Sequence, residues 1–520
     1  MSRTPGAGAG LDLRTARALA WASAAAISSS IMIMIGASLL RSSWMTPPLV
    51  LPTVGPPWEL TSVHISVKVV AVALWLAALL AGGGVAAGLA AISQGARVSA
   101  RALLVTGLLA VAVLTVLPPA GSTDVLDYAA YGRTVVLGHS PYVMAPYQLR
   151  MLHDAYSKSV PVEWEHQVTL YGPLATAEQF VAAVLGGSSA VRIVFWLKLG
   201  NALAFGAVAL AAHRVLRSVP AARLRAHLLW TLNPLLLWGL IAAGHLDVLA
   251  AAAGMLGLLT VGSANPGPMR AAMAGVFIGV AADIKIYYLI FGLALVSVLR
   301  RSPRDLAAAV GAALAVLVPT YTWFGPPAIK ALLARRDKTT SDNFYQLLSG
   351  PHGYIMAHLS LLAGLTALCL AVLTLRRLPT AVQAPPAIRA PPAIRAALAL
   401  SVAWLFVWPY QLPWYDAMIV CLLVLYPASR LDWLVLARLT AGTIALMPGN
   451  PWAPPGHLLA RFSHDSVVVI APVTLLAVTA GLAALGLSGR WKLRQAGNPD
   501  PDTATIPAAT AVPVTPLAGG

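Results

Sequence analysis

Apolar runs long enough to cross a bilayer recur along almost the whole chain, and they limit what it can fold into more than any other feature. A spanning helix needs roughly 20 apolar residues, fewer where it is broken inside protein. Runs near residues 18–40, 64–92, 102–118, 189–212, 227–244, 248–262, 271–284, 286–299, 305–323, 354–375, 396–411, 416–428, 431–447 and 467–487 meet that need. They predict an all-α polytopic membrane protein with about fourteen passes, several of them short. Composition agrees: the chain is 58% hydrophobic and 10% charged, whereas a soluble domain carries about a quarter of charged residues.

A net charge of +17 would suggest nucleic acid in a soluble protein, so its location decides its meaning. Here the bases form short clusters between apolar runs, without a long basic surface, and no nucleic-acid partner is expected. Arg97 and Arg101, Arg214 to Arg225, Arg270, Arg300 to Arg304, Arg376 to Arg395 and Arg490 to Arg494 all fall on one side of the predicted topology. The positive-inside rule makes that side cytoplasmic. The first run follows Arg3, Arg14 and Arg17 and is longer than a signal-peptide core, which reads as a retained anchor. Both termini are therefore expected in the cytoplasm, with the chain in a bacterial plasma membrane. Most acids fall on the other side, including Glu59, Asp124, Asp127, Asp154, Glu163, Glu165, Asp247, Asp337, Asp342, Asp416 and Asp465. Acids contribute little to orientation, so their gathering there suggests use.

The order of segments divides the chain into a transmembrane pair over 1–101, a core over 102–430, further helices over 431–495 and a disordered tail over 496–520. Within the core, 119–188 reads as an extracytoplasmic loop. Tyr171 to Leu185 is apolar, but a full pass there would invert the Arg214 to Arg225 cluster, so a juxtamembrane helix is expected. Gly84 and Gly88 form a small-xxx-small face for close helix packing. The repeat PPAIRA PPAIRA, Pro385 to Ala396, reads as a linker, since its prolines cannot continue a helix. Cys369 and Cys421, both in apolar runs, promise neither a disulfide framework nor a metal cluster.

Polar chemistry gathers in a few places. Gly121 to Pro146 follows an apolar run and abruptly supplies Asp124, Asp127, Tyr128, Tyr131, Tyr142, Arg133 and His139. On a helix starting at Ser122 or Thr123, Asp124, Tyr128 and Tyr131 share a face, with Asp127 one step round. The other outer clusters are Tyr171-Gly-Pro-Leu, Gly244-His245-Leu-Asp247, Asp283-Ile-Lys285, the Trp408 to Asp416 segment with Trp414 and Tyr415, and the basic loop holding Arg335, Arg336 and Lys338. Such a set suits an amphiphilic substrate with an anionic head. Arginine grips phosphate bidentately and lysine as a point charge. Lys285 lies between short apolar segments, where a free ammonium at full depth costs at least about 2.5 kcal/mol. Asp283, two residues away, faces elsewhere on a helix, so a phosphate or a carboxylate from another helix is the expected partner.

Each reading has a plainer counterpart. Asp124 in a first helical turn favours the helix dipole by up to about 1 kcal/mol. Asp247 can cap a helix, and Trp414 and Tyr415 can belong to an interfacial aromatic belt. Asp124, His245 and Asp247 are candidate divalent-metal ligands, although scattered oxygen ligands do not indicate a metal. No Walker or dinucleotide pattern occurs.

Asp124-Val-Leu-Asp-Tyr128, Gly132-Arg133, Gly138-His-Ser-Pro-Tyr142, Tyr171-Gly-Pro-Leu174, Asn233-Pro234, Gly244-His-Leu-Asp247, Lys285 and Pro413-Trp-Tyr415 follow one another in an order that resembles the GT-C superfamily of integral-membrane glycosyltransferases. Within it the chain is most similar to actinobacterial polyprenol-phosphate-mannose-dependent α-1,6-mannosyltransferases that extend cell-envelope lipoglycans. The resemblance covers most of Ala102 to Pro427. It implies a GT-C-type helix bundle, a polyprenyl-phosphate sugar donor, a glycolipid or glycan acceptor, and inverting transfer at the extracytoplasmic face. It maps the catalytic aspartate onto Asp124, four residues before Tyr128. Asp127 and Ser140 depart from the commoner pattern, which leaves Asp127 as a rival base and the acceptor or sugar specificity open.

The chemistry is consistent with single displacement. One carboxylate removes the acceptor proton while cations hold the leaving phosphate, and inversion needs only one such group. The resulting assignment makes Asp124 the base, with Asp127, Tyr128, His245 and Asp247 as secondary acid or acceptor contacts. Lys285, Arg335 and Arg336 stand on the phosphate side, and Tyr171, Trp414 and Tyr415 contact sugar or lipid. The rival reading is a transporter or flippase for an anionic lipid or solute, which should show internal pseudo-symmetry; the sequence shows no such repeat.

Overall fold

The computed structural model describes residues 7–39, 65–162, 164–262, 265–334, 338–349, 358–378, 392–447 and 456–491. Their regular structure is helical, with no strand among the described residues. The elements begin with α1 (Ala7–Leu39), α2 (Val67–Ser93), α3 (Ala100–Val116), α4 (Asp124–Val136), α5 (Pro173–Gly186) and α6 (Ala190–Val215). Next come α7 (Pro220–Ala242), α8 (Asp247–Val261), α9 (Pro268–Ile284), α10 (Ile286–Leu299), α11 (Pro303–Phe324) and α12 (Pro326–Leu333). The chain continues through α13 (Tyr345–Ser349), α14 (Leu359–Arg377), α15 (Pro392–Leu405), α16 (Pro413–Leu423), α17 (Leu431–Leu446) and α18 (His457–Ser488). The tail beyond 495 and the first part of the PPAIRA repeat lie outside the described residues.

Nearly every apolar run became a helix, and length and composition single out half of the expected fourteen as full-length spans. Among the described residues six are long and apolar enough to cross a bilayer, or seven if the α7–α8 pair, bent by 116°, is counted as one span. The others are set apart by length. Helices such as α3, α10, α15 and α16 have fewer than 18 residues, and at 1.5 Å per residue they fall short of a hydrocarbon core about 30 Å thick. Helix α11 shows the membrane environment most directly: Val310, Leu314, Val318 and Trp323 are exposed along its length, while Asp305 and Ala309 are buried.

Small residues let the helices approach. A Cβ on Gly84 would lie 3.0 Å from Ile27 Cγ1, and one on Gly88 would lie 2.7 Å from Ser23 Oγ, so the expected glycine face packs α2 against α1. Ser23 Oγ also donates to Gly84 O at 2.7 Å. Deeper in the bundle, Arg225 at the start of α7 donates to both carboxylate oxygens of Asp432 on α17, and to the carbonyls of Leu423 and Tyr426.

A second buried cation sets the position of α4. Pro118 and Pro119 prevent α3 from continuing. Lys198 of α6 then donates to the freed carbonyls of Leu114 and Leu117, at 2.6 and 2.7 Å, which places positive charge at a helix C-terminus where it is favourable. Ala120 N reaches Ala242 O at 3.0 Å, and the chain enters α4 with Asp124 and Asp127 in its first turn. Arg133, near the far end of α4, pairs with Asp154 and donates to Gly187 O.

Because removing one partner strands a buried charge, Asp432→Leu should cost about 3–5 kcal/mol. The double change Arg225→Met with Asp432→Leu should recover most of that loss. Thermal unfolding of the detergent-purified chain measures both, and equal destabilisation by the single and double variants would contradict the role given to the pair.

Candidate active site

A cavity of about 270 Å³ lies where the start of α4 meets the segment leading into α16. Asp124, Asp127, Tyr128 and Tyr131 of α4 line it together, as expected of one helical face with Asp127 beside it. The loop before α5 adds Trp164, Gln167, Leu170 and Tyr171. Ile286 and Tyr287 contribute from the start of α10, Leu332 and Leu333 from α12, and Lys338 from the loop beyond it. Trp408, Tyr410, Leu412, Trp414 and Tyr415 complete the lining. Rings with polar tips dominate, a composition that offers both faces and hydroxyls to a ligand.

The two acids differ in access. The Asp124 side chain is 23% exposed, whereas Asp127 is 3% exposed. Behind Asp124 stands His245, fully buried, with Nδ1 at 3.7 Å from Asp124 Oδ2 and 3.4 Å from Tyr128 Oη. Its ring stacks on Trp414 with centroids 3.5 Å apart and planes inclined by 13°. Tyr128 Oη meets Tyr171 Oη at 3.1 Å, the two rings lying edge to face. Burial, with the Asp124 charge adding to it, pushes both phenols well above their usual range, so they remain neutral hydroxyls.

His245 and Asp247 owe their positions to a turn. Gly244 has φ +79°, a conformation that favours glycine, and it sharply redirects the chain between α7 and α8. Asp247 opens α8, and Lys285 ends α9 in an extended conformation. Lys285 Nζ donates to both carboxylate oxygens of Asp247, at 2.7 and 2.8 Å. The expected partner of Lys285 is therefore a carboxylate from another helix. The ammonium also lies 4.1 Å from the centroid of the Tyr415 ring, a cation–π distance.

The Tyr171-Gly-Pro-Leu motif has a steric basis. Pro173 starts α5, Leu174 N donates to Asp283 Oδ1 at 2.6 Å, and Thr320 Oγ1 donates to Asp283 Oδ2 at 2.5 Å. Asp283 thus holds the α5 N-terminus rather than facing the cavity. A Cβ on Gly172 would fall 1.4 Å from Asp283 O. Tyr142, from Gly138-His-Ser-Pro-Tyr, donates to Tyr171 O at 2.8 Å and fixes the same turn. Asp416, another of the outer acids, is buried in an ion pair with Arg438, which also donates to Gln411 Oε1.

Among the sequence-selected residues, Asp124, Asp127, Tyr128, Tyr171, Trp414 and Tyr415 share the cavity, and His245 stands immediately behind Asp124. Lys285 and Asp247 neutralise each other behind the lining, so Lys285 does not present the free charge expected of a phosphate contact. The trio Asp124, His245 and Asp247 does not converge: both Asp247 oxygens are taken by Lys285, and no group of three or more His, Cys, Asp or Glu suited to a metal occurs among the described residues. Arg335 and Arg336 lie outside the described residues; Lys338, three positions along the same basic loop from Arg335, lines the cavity. Trp164, Gln167, Tyr287 and Lys198 were not singled out. For Lys198 the signal was present, a lone lysine in an apolar run like Lys285.

Comparison with known proteins gives two matches. The profile of the family described as "Alpha-(1->6)-mannopyranosyltransferase, N-terminal domain" matches residues 23–301. A protein of Mycolicibacterium smegmatis described as a probable alpha-(1->6)-mannopyranosyltransferase is 32% identical over 150 residues. That match takes in 29% of this chain and 26% of the relative, so the chain matches about a quarter of the relative's length. No solved structure matches.

Gly172→Ala should lower stability by about 3 kcal/mol, since backbone atoms must move to admit the methyl group. Gly83→Ala, where the space is open, should not destabilise. Thermal unfolding of the two variants side by side measures the difference, and a stable Gly172→Ala would refute the close approach of the turn to Asp283.

Proposed function

The chain belongs to the alpha-(1->6)-mannopyranosyltransferase family, and from that premise we propose that it transfers a mannosyl unit from a polyprenyl-phosphate donor to a hydroxyl of a glycolipid or glycan. The observation that carries this reading is the access of Asp124: it is the more exposed of two acids in a cavity walled by aromatic rings. In the proposed step the acceptor oxygen attacks the anomeric carbon and its proton passes to Asp124. The bond from the anomeric carbon to the phosphate oxygen breaks, and its electron pair leaves with the phosphate. One displacement inverts the centre, and one carboxylate suffices.

Lys338 is our choice for the phosphate side, with Arg335 and Arg336 of the same loop beside it in sequence. Leu332 and Leu333 in the lining supply apolar surface for the first part of a prenyl chain. Lys285, neutralised by Asp247, serves in this reading to hold Tyr415 and the α8 start. The aromatic side chains receive the sugar rings and the acceptor. A resident metal has no part in the proposal. Family membership favours transfer over the transporter reading.

We place the reaction at the extracytoplasmic face of a bacterial plasma membrane, with both termini cytoplasmic, on the strength of the basic clusters and the positive-inside rule. Helix α5 is read as juxtamembrane. Phe180, Val181, Val184 and Leu185 form an exposed apolar face there, while Ala175, Gln179, Ala182 and Ala183 are buried, as in a helix lying between protein and lipid. In this arrangement the shorter apolar helices are further passes, completed by protein around them.

In membranes supplied with polyprenyl-phosphate mannose and an alkyl α-mannoside, Asp124→Asn should lower transfer by roughly 10²–10⁴-fold, the usual contribution of a general base. Near-normal transfer would remove Asp124 from the mechanism. Lys338→Met should raise KM for the donor and leave KM for the acceptor nearly unchanged, and equal effects on the two would argue against a phosphate contact.

A further inference from the structure

His245 is fully buried and its two ring nitrogens have unequal surroundings. Nδ1 faces Tyr128 Oη at 3.4 Å and Asp124 Oδ2 at 3.7 Å. Nε2 is buried and meets no hydrogen-bond partner among the described residues. A neutral imidazole carries one N–H, and which nitrogen bears it follows from the partners available. A buried N–H with no acceptor is among the rarest orphans in proteins, whereas a lone pair facing apolar atoms is better tolerated. The ring proton therefore belongs on Nδ1, toward the carboxylate and the phenol.

The ring itself is held firmly. Trp414 stacks on it at 3.5 Å, and the Gly244 turn sets its entry into the bundle. Tyr128 is engaged in turn by Tyr171. From these contacts we propose that His245 is a positioning residue: its Nδ1–H, shared with Tyr128, orients the Asp124 carboxylate for the acceptor's proton and favours its ionised form. The proposal rests on the reading of Asp124 as the base and adds to it a group that does not touch substrate. A distance of 3.7 Å suits a site without substrate, because catalytic hydrogen bonds often tighten only when the reacting molecules are bound.

Several charged or titratable groups surround this contact. Asp124, Asp127 and Tyr128 come from α4, Tyr171 from the turn before α5, Asp247 from α8, Lys285 from the end of α9 and Tyr415 from α16. All are left in place when only His245 is changed. A donor to a carboxylate favours its charged form. Removing the donor raises the pH at which Asp124 ionises, so the acid limb of activity, which requires the carboxylate, moves to higher pH.

The test uses the full chain in detergent with polyprenyl-phosphate mannose and an alkyl α-mannoside. His245→Leu, which fills the space without the N–H, should lower kcat about 100-fold, alter KM little and shift the acid limb of the pH profile upward. His245→Asn carries an N–H near the place of Nδ1 and should restore at least about tenfold of that loss and return the limb toward the wild-type position. The proposal is overturned by a Leu variant within about threefold of wild type, or by Leu and Asn variants equally impaired with an unmoved pH profile. If the Leu variant does not fold, Asn and Gln decide the matter. The Gln amide reaches the place of Nε2, so an active Asn with an impaired Gln supports the proposal and equal activities overturn it. An Asp124→Asn enzyme that retains transfer defeats the base assignment, whereas an inactive Asp124→Asn beside insensitive His245 variants defeats only the positioning role.

Discussion

Burying a lysine and an aspartate inside a membrane bundle is tolerable only if each finds the other with good geometry, and the Lys285–Asp247 pair meets that condition through two hydrogen bonds of 2.7 and 2.8 Å. The pair joins the start of one helix to the end of another. Asp247 begins α8 just after the Gly244 turn, and Lys285 ends α9. Interrupted backbone in a membrane protein must be satisfied by its surroundings, and here Tyr288 Oη donates to Asp247 O at 3.1 Å. One ion pair thus ties the α7–α8 bend to the α9–α10 junction, while the same ammonium supports the Tyr415 ring that lines the cavity. The breaks that create room for chemistry are stabilised by the charges they bring together.

Much of this arrangement was legible in the residues because it depends on local period. Apolar runs became helices, since a backbone in lipid has few alternatives. Asp124, Tyr128 and Tyr131 share a lining because positions four and seven apart on a helix lie on one face. What sequence could not give was partnership at a distance. Lys285 was recognisable as an isolated cation, yet its partner is 38 residues away and stands just past the 116° bend between α7 and α8. Asp416 counts among the outer acids by its place in the sequence, but its partner Arg438, itself within an apolar helix, is 22 residues away. Trp164 and Gln167 belong to an irregular loop that has no periodicity from which to read a direction. Nor does hydropathy fix the number of passes: it reports whether a segment is apolar, and protein interior and lipid look alike to it.

The turn at Tyr171-Gly172-Pro173 illustrates how a short motif can be explained without assigning it chemistry. Glycine is required by the approach to Asp283 O, proline begins the helix, and Asp283 accepts from the first turn. Tyr171 then reaches the cavity from a backbone fixed on several sides, since Tyr142 Oη holds its carbonyl as well. The conformational entropy of placing that ring is lost on folding and need not be lost again when a ligand arrives.

The stacking of His245 on Trp414 joins two parts of the chain that differ in their relation to other proteins. Asp124, His245, Asp247 and Lys285 lie in the stretch shared with the family's N-terminal domain, while Trp408, Tyr410, Trp414 and Tyr415 lie beyond it. The acid and the surface against which a ring would lie are thus encoded separately and meet only in the folded bundle. Variation in the later segment can reshape what the cavity accepts and leave the acid untouched, limited chiefly by the need to keep a flat indole at position 414 beneath the imidazole.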